Sequence, residues 1–425
     1  MPTYLSPGVF VEEVPSSIKA IAGVSTSTAA FIGIVPDTVH LIARNPDFDP
    51  AKSGSKAFKI VDFTVPAEAK KPLLITSWSQ FLRTFGDLTG DSSKPASTGS
   101  PSVEASFMSL AHAVYGFFNN GGSRCYVVRV TGVADLDAAL TALAALDEIA
   151  LVCAPGQDTD AVRDKIVTHC ADTGDRFALF DGPGPDVQTD LTKLVHTTTD
   201  TPAGVMPKKT DLAAYYFPWI KVFDPGTQLS DPSTGGSLAV PPSGHIAGIF
   251  ARVDTERGVF KAPANEVIRG ALDVVQPISR ADQNGLNPKG VNCIRPLNGN
   301  IYVWGARTIG GDANADLKYI NVRRTLLFLR ESIDEGTQWV VFEPNTPALW
   351  AKVSRNVTAF LTALWRSGAL FGSTAAEAFF VKCDAETNDE NARNNGQVVT
   401  EIGVAIARPA EFVIFRVSQF AAPTK

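Results

Sequence analysis

The groups best suited to chemistry in this chain of 425 residues are few and scattered. Gly182-Pro183-Gly184 follows a predicted strand, the place where a glycine-rich turn cradles a pyrophosphate with backbone N–H groups. Pro183 and Pro185 remove two of those donors, so a plain turn is expected. Asp384-Ala385-Glu386-Thr387-Asn388-Asp389-Glu390 has the carboxylate density of a calcium loop. Its sixth position is Asp389 where a sharp turn needs Gly, and its twelfth is Asn395 where a bidentate Glu is needed, so an exposed acidic loop is expected. His169 adjoins Cys170, but adjacent helical positions point apart and do not make a two-ligand site. Asn356-Val357-Thr358 matches a glycosylation acceptor but falls inside a predicted helix. No phosphate loop, G-x-S-x-G elbow, H-E-x-x-H or C-x-x-C is present. No catalytic residue, cofactor or metal is therefore assigned, and a chain that is not an enzyme is expected.

Composition narrows the classes further. Hydrophobic residues make up 44% of the chain, enough for two or three domains. The net charge of −6 and the lack of basic blocks argue against direct contact with nucleic acid. No apolar run approaches the roughly 18 residues of a membrane span, so no membrane insertion is expected. The N-terminus lacks the basic and apolar regions of a signal peptide. Cys125, Cys153, Cys170, Cys293 and Cys383 then read as reduced core thiols of a cytoplasmic chain.

Periodicity places the elements. Gly8–Val14 is a short strand between prolines, Ser16–Thr28 a small, polar linker, and Ala29–Val35 a buried strand. Residues 37–72 are broken by proline and glycine and read as a surface insertion with a small hairpin. From Leu73 strands alternate with helices. Strands are expected at 73–75, 125–130, 149–154, 177–181 and 213–222, and helices at 78–85, 103–119, 135–146, 158–173 and 186–195. That alternation predicts βαβ units and a parallel or mixed sheet. Asp224–Gly244 is a loop or boundary rich in Pro, Gly and Ser. A helix near Glu266–Leu272, strands at 291–295 and 300–308, and a helix at 317–335 follow.

Thr346 and Pro347 open a further helix, with Leu349, Val353, Val357, Phe360, Leu361 and Leu364 on its apolar side and Gly368 as its stop. Lys352, Arg355 and Arg366 share the opposite side. That stripe reads either as a solvated face, the usual fate of such stripes, or as a contact for an acidic partner. The chain closes on an apolar strand, Glu411–Phe420. A strand at each end lacks an obvious partner and must pair within its own subunit or with a neighbour. Residues alone do not separate these two readings.

Several long motifs occur in order. They are Y-L-S-P-G-V-F-V-E-E-V (Tyr4–Val14), S-G-H-I-A-G-I-F-A-R-V-D-T-E-R-G-V-F-K-A-P-A-N (Ser243–Asn265), V-W-G-A-R-T-I (Val303–Ile309), Y-I-N-V-R-R (Tyr319–Arg324), V-F-E-P-N (Val341–Asn345) and A-F-F-V-K-C-D (Ala378–Asp384). Through them the chain resembles the contractile tail sheath family of bacteriophages, R-type pyocins and other contractile injection systems. Residues 37–240 carry little of the likeness.

The resemblance implies a mixed α/β fold. A discontinuous sheath core domain would be built from both chain ends, with an inserted βα-type domain carrying a mixed sheet. The implied segments are 1–36 (arm and first core strands), 37–72 (insertion), 73–240 (inserted α/β domain), 241–408 (C-terminal core) and 409–425 (terminal arm). It implies a structural subunit of stacked rings, usually of six, around an inner tube. The polymer would shorten on a baseplate trigger and drive the tube through a target envelope. Partners would be other copies of the chain, the inner tube protein, and baseplate and terminal cap proteins. Assembly would take place in a bacterial cytoplasm, within a phage tail or a tail-like particle that can be released. Inter-subunit strand pairing would use Val9, Phe10, Val11 and Glu12 at one end, and Phe412, Val413, Ile414, Phe415 and Val417 at the other. Lys352, Arg355 and Arg366 would be candidates for tube contact. Two alternatives remain: a nucleotide- or small-molecule-binding α/β enzyme using residues 73–222, or another tail or baseplate component.

Overall fold

The computed structural model describes residues 20–90, 103–185, 191, 194 and 206–416. Their chain forms two compact units. One holds the described residues of 24–330 and 406–425, the other those of 1–23 and 331–405. Val9, Phe10, Val11, Glu12 and Val417 lie outside the described residues, as does most of the helix expected at 186–195.

In the larger unit the strands are β1 (Ala29–Ile34), β2 (Thr38–Arg44), β3 (Phe58–Thr64), β4 (Leu73–Ile75), β5 (Cys125–Val130), β6 (Leu151–Cys153), β7 (Phe177–Asp181), β8 (Ala213–Phe217), β9 (Ile220–Phe223), β10 (Ser237–Val240), β11 (Glu266–Val267), β12 (Ala271–Val274), β13 (Val291–Leu297) and β14 (Asn300–Val303). Its helices are α1 (Trp78–Phe85), α2 (Val103–Asn119), α3 (Leu136–Ala144), α4 (Asp160–Thr173), α5 (Pro225–Ser230), α6 (Ser243–Glu256) and α7 (Arg280–Leu286). Helix α8 (Ile320–Thr337) carries the chain into the smaller unit.

The apolar runs, buried on both faces, stack as a mixed sheet in the order β11-β14-β13-β8-β7-β6-β1-β5-β4. From β13 to β5 neighbours run parallel, while β4, β14 and β11 pair antiparallel at the two margins. The mixed α/β class expected from the alternation is the class observed. β2 and β3 make the hairpin expected in 37–72, in register from Thr38↔Thr64 to Arg44↔Phe58.

Three local expectations fail, the first at Asp224–Gly244, which was expected as a loop or boundary but holds α5 and β10, the latter paired antiparallel with β9. The single strand expected over Ala213–Val222 is split at Pro218. Without an N–H, that residue cannot continue the ladder, and the chain restarts as β9 between β10 and β12. The helix expected at Glu266–Leu272 is instead β11 and the start of β12. Asn265 turns with φ +59°, and Glu266 and Val267 then pair with Val303 and Tyr302. An open sheet edge outweighs helical propensity over so short a stretch.

Ser243–Glu256, read from sequence only as a motif, is α6, and its glycines explain its packing. A Cβ on Gly244 would lie 2.3 Å from the Ala113 backbone, and one on Gly248 would lie 2.4 Å from the Phe117 carbonyl oxygen. Four residues apart, they open one groove on α6 into which α2 settles.

The smaller unit holds α9 (Pro347–Arg366), α10 (Ala375–Ala378), α11 (Glu390–Asn394) and the antiparallel pair β15 (Phe379–Lys382) and β16 (Glu401–Val404). Thr346 occupies the N-cap position of α9, but its side chain makes no capping bond; Pro347 at the first position suits the helix without one. The far end closes as expected. Gly368 at φ +86° donates to the Trp365 carbonyl at 3.0 Å, and Ala369 donates to that of Leu364 at 3.1 Å. Leu349, Trp350, Val353, Val357, Phe360 and Leu361 are buried on one side of α9. On one face of the strand pair the Phe380 ring covers Gly403, where a Cβ would come within 2.1 Å of it.

Candidate functional site: two arm roots and a basic helix face

The groups with nominal chemistry are absorbed into structure. Gly182 donates to the Tyr216 carbonyl and accepts from the Trp219 indole at 2.8 Å, which makes Gly182-Pro183-Gly184 a packed turn. Asp384 Oδ1 takes the N–H groups of Glu386 and Thr387, and Asp389 caps α11, so the acidic loop spends its carboxylates on its own backbone. All five cysteines are free and buried, and burial pushes the thiols of Cys170 and Cys293 up to about 12. Burial, with Arg176 alongside, lowers His169 to about 4, and its Nε2 sits 2.9 Å from the Arg176 guanidinium. Asn356 is buried within α9.

The strand order β5-β1-β6-β7-β8 is doubly wound, and in such sheets ligands bind where the order reverses, here beyond the ends of β1 and β6. The crevice at that point is lined by Ile32, Ile34, Val130, Leu136 and Val162, with Gln157 its polar side chain, and holds about 10 Å³. That is room for one water rather than a nucleotide. Asp181, at the end of β7, faces the start of α6. Its carboxylate accepts from the Ser243 N–H and Oγ, both at 2.7 Å, and from the Gly156 N–H at 3.3 Å. Burial raises it to about 6 against those bonds. It ties three elements together and has no open side.

The C-terminal segment behaves differently. Glu411 is gripped from three sides. Arg307 Nε and Nη2 donate to its two oxygens at 2.8 Å each, Asn287 Nδ2 donates at 2.7 Å, and the Tyr319 hydroxyl donates at 3.0 Å. Burial opposes ionisation of Glu411, but the Arg307 fork, Asn287 and Tyr319 outweigh it and hold the carboxyl below its ordinary range. Beyond that grip Phe412, Val413, Ile414 and Phe415 are exposed by 71, 70, 77 and 84%. The strand expected at Glu411–Phe420 is not formed in its described part, residues 411–416, which have no ladder partner among the described residues.

At the other end, the linker expected over Ser16–Thr28 is tied down in its last residues. Asp254 accepts from Arg324 Nη1 at 2.9 Å, from Arg324 Nη2 at 2.6 Å and from the Thr26 hydroxyl at 2.6 Å. Arg324 Nη2 also donates to the Thr26 carbonyl at 2.8 Å. The Thr28 carbonyl accepts from Ala150 and Leu151. Ile21 is buried as well, close enough to Gly336 that a Cβ there would lie 2.7 Å from it, so the described N-terminal residues are packed beyond Thr26.

On α9 the side chains of Lys352, Arg355 and Arg366 are all exposed, share one face, and have no ion-pair partner among the described residues. The helix carries no acidic residue.

Residues 130–309 match the model of the phage tail sheath protein central domain, and residues 312–420 that of the phage tail sheath C-terminal domain. The chain belongs to the phage tail sheath family. Among curated relatives of this sheath chain is a prophage major tail sheath protein of Pseudomonas aeruginosa, 28% identical over 200 residues, 46% of this chain and 50% of the relative. The sheath chain thus matches about half the length of that curated relative. Solved structures match throughout. A chain of the six-fold symmetrised baseplate of the anti-feeding prophage aligns with TM-score 0.67 and 29% identity, covering 99% of this chain and 100% of that one. A chain of the sheath complex of an extracellular contractile injection system, PVC, in the contracted state aligns with TM-score 0.72 and 25% identity, covering 99% of each.

Sequence reading missed the two buried Arg–carboxylate grips, although the motifs contain their members. Asp254 lies in the motif Ser243–Asn265, Arg307 in V-W-G-A-R-T-I, and Tyr319 and Arg324 in Y-I-N-V-R-R. The usable signal was charge inside otherwise apolar motifs, since buried charges need partners. Their pairings span 70 residues (Asp254–Arg324) and 104 residues (Arg307–Glu411), which no local pattern reveals.

Proposed function

We propose that this chain is a structural sheath subunit that polymerises into stacked rings of six around an inner tube and shortens to drive that tube through a target envelope. The observation that carries the reading is the exposed run Phe412–Phe415, directly after a gripped Glu411. Four consecutive large apolar residues in water are costly, and an extended segment with free N–H and C=O groups is a strand awaiting a sheet. The pair β15–β16 supplies an acceptor. Among the described residues each pairs only with the other, leaving two outer edges, and a two-stranded sheet gains most from added strands. The terminal segments of neighbouring copies, with Phe412, Val413, Ile414, Phe415 and Val417 at one end and Val9, Phe10, Val11 and Glu12 at the other, would extend it by strand addition.

Six-fold rings and contraction draw support from the likeness to the six-fold baseplate chain and to the sheath chain solved contracted. The whole-length likeness to chains of two tail-like injection particles, at 29 and 25% identity, supports such a particle. The basic face of α9 is assigned to the inner tube, through weak and salt-screened contacts that can release during shortening. Baseplate and cap proteins would adjoin the two ends of the polymer.

Truncation after Glu411 tests the reading. The cut leaves the grip intact and removes only the exposed segment. Electron microscopy should show long sheaths from the full chain and dispersed particles from the truncated one. Regular sheaths from the truncated chain would overturn the strand-addition reading.

A further inference from the structure

We propose that the start of α8 is a common root for both arms, with Tyr319, Asn321 and Arg324, together with Arg307 and Asp254, acting as positioning residues that set where each arm leaves the body. The inference rests on the sheath reading above. Four observations carry it.

First, the C-terminal segment is held to this short stretch twice: the Tyr319 hydroxyl bonds Glu411, and Asn321 Nδ2 donates to the Ala407 carbonyl at 3.0 Å. Second, the N-terminal segment is held there as well, since Arg324 bonds both the Thr26 carbonyl and the Asp254 that takes the Thr26 hydroxyl. Third, Arg307 is fixed to the same stretch by backbone. It bridges Tyr319, Thr308 donates to the Lys318 carbonyl, and Ile320 donates to that of Ala306. Fourth, both arginines are 3% exposed at the side chain, so the grips lie out of water rather than on a screened surface.

From Tyr319 to Arg324 is five residues, about 7.5 Å along a helix. Two segments far apart in sequence thus leave from nearly one place, on a rigid helical piece. Two-pronged arginine–carboxylate bonds fix direction as well as distance. Beyond Glu411 no described residue bonds to Phe412–Phe415, so among the described residues it is the root that aims that arm. When a neighbour pulls on one arm, the strain passes to the other through Tyr319–Arg324 and not across the sheet. The spacing between the two points of departure therefore survives a reorientation of the subunits.

The test uses the full chain with Glu411→Gln, Arg307→Lys and Arg324→Lys. Amide hydrogen exchange is read on the unassembled protein, and the protein concentration at which sheaths form is read by electron microscopy. We expect exchange at 405–411 to rise at least tenfold in Glu411→Gln and Arg307→Lys, and at 24–28 in Arg324→Lys. The concentration needed for sheaths should rise at least tenfold in all three. Asp316→Asn, which breaks only the exposed pair to Arg408, should change exchange less than twofold. Exchange within twofold of wild type in the three variants would overturn the proposal. So would faster exchange with sheaths forming at the wild-type concentration, because the grips would then serve folding alone. Should one variant fail to fold, the other two still decide. If the chain cut after Glu411 forms regular sheaths, the strand-addition reading fails instead, while the exchange data still report on the root.

Discussion

Single residues in this protein act by allowing close approach or by closing a buried charge. Gly244 and Gly248 are the first kind. Gly244→Val would press a branched side chain into the Ala113 backbone, and neither helix can retreat without opening the core. We expect a loss of at least about 3 kcal/mol, read as a lower denaturation midpoint or as insoluble expression. Asp181 is the second kind. Its folded pKa of about 6 stands above the usual carboxylate value of 3.8. Between those values the folded chain holds the extra proton, so this group's contribution falls as pH rises from about 4 to about 6 and is level above that. Asp181→Asn removes that slope, so its stability relative to wild type should improve over this window. The gain expected by pH 7 is about 1–3 kcal/mol, provided the amide oxygen replaces the bonds to Ser243. Urea midpoints at pH 4 and pH 7 measure it, and a variant losing more at pH 7 than at pH 4 would contradict it. Glu411 has the opposite sign. Its folded carboxyl lies below the ordinary value of 4.5, so the grip is complete above that value and is lost as pH falls through the lower, folded pKa.

At the scale of elements, α9 has one side packed and one side exposed and basic. Its apolar side was legible from spacing: Leu349, Val353, Val357, Phe360 and Leu361 are buried, while Leu364 is only half-buried and Trp350 joins them. Its basic side was legible as a stripe, and the structure exposes it with no ion-pair partner among the described residues. The double reversal Lys352→Glu and Arg355→Glu should leave the melting temperature within about 2 °C, since exposed charges contribute little to stability. It should nonetheless impair assembly on the inner tube, and raising the salt concentration should weaken assembly of the wild type in the same direction. Normal sheathed tubes from the double variant would return this face to solvent. The strands 125–130 and 177–181 and the helices 78–85 and 103–119 were readable because burial and period act locally. The strand pairing at Glu266–Val267 was not, because an edge supplied by β14 decided it.

At the scale of the whole molecule, the described chain forms two compact units, and the exposed Phe412–Phe415 belongs to the larger of them. Removing residues 412–425 should change the melting temperature by less than about 2 °C, because Phe412–Phe415 are mostly exposed among the described residues. The same cut should abolish polymerisation, a separation of folding from assembly that calorimetry and microscopy on one sample can check. The amino-acid sequence by itself determined the mixed α/β class, the hairpin in 37–72, the buried face of α9, the family likeness and the apolar run at the C-terminal end. These follow from local period, turn chemistry and motif order. The tertiary structure alone decided that Phe412–Phe415 stands exposed, with no partner among the described residues. It also decided that Arg307 meets Glu411 and that Thr26, Asp254 and Arg324 converge. Hydrogen bonds and ion pairs between residues 70 to 298 positions apart depend on how strands and helices are ordered in space, and local spacing carries no record of that order.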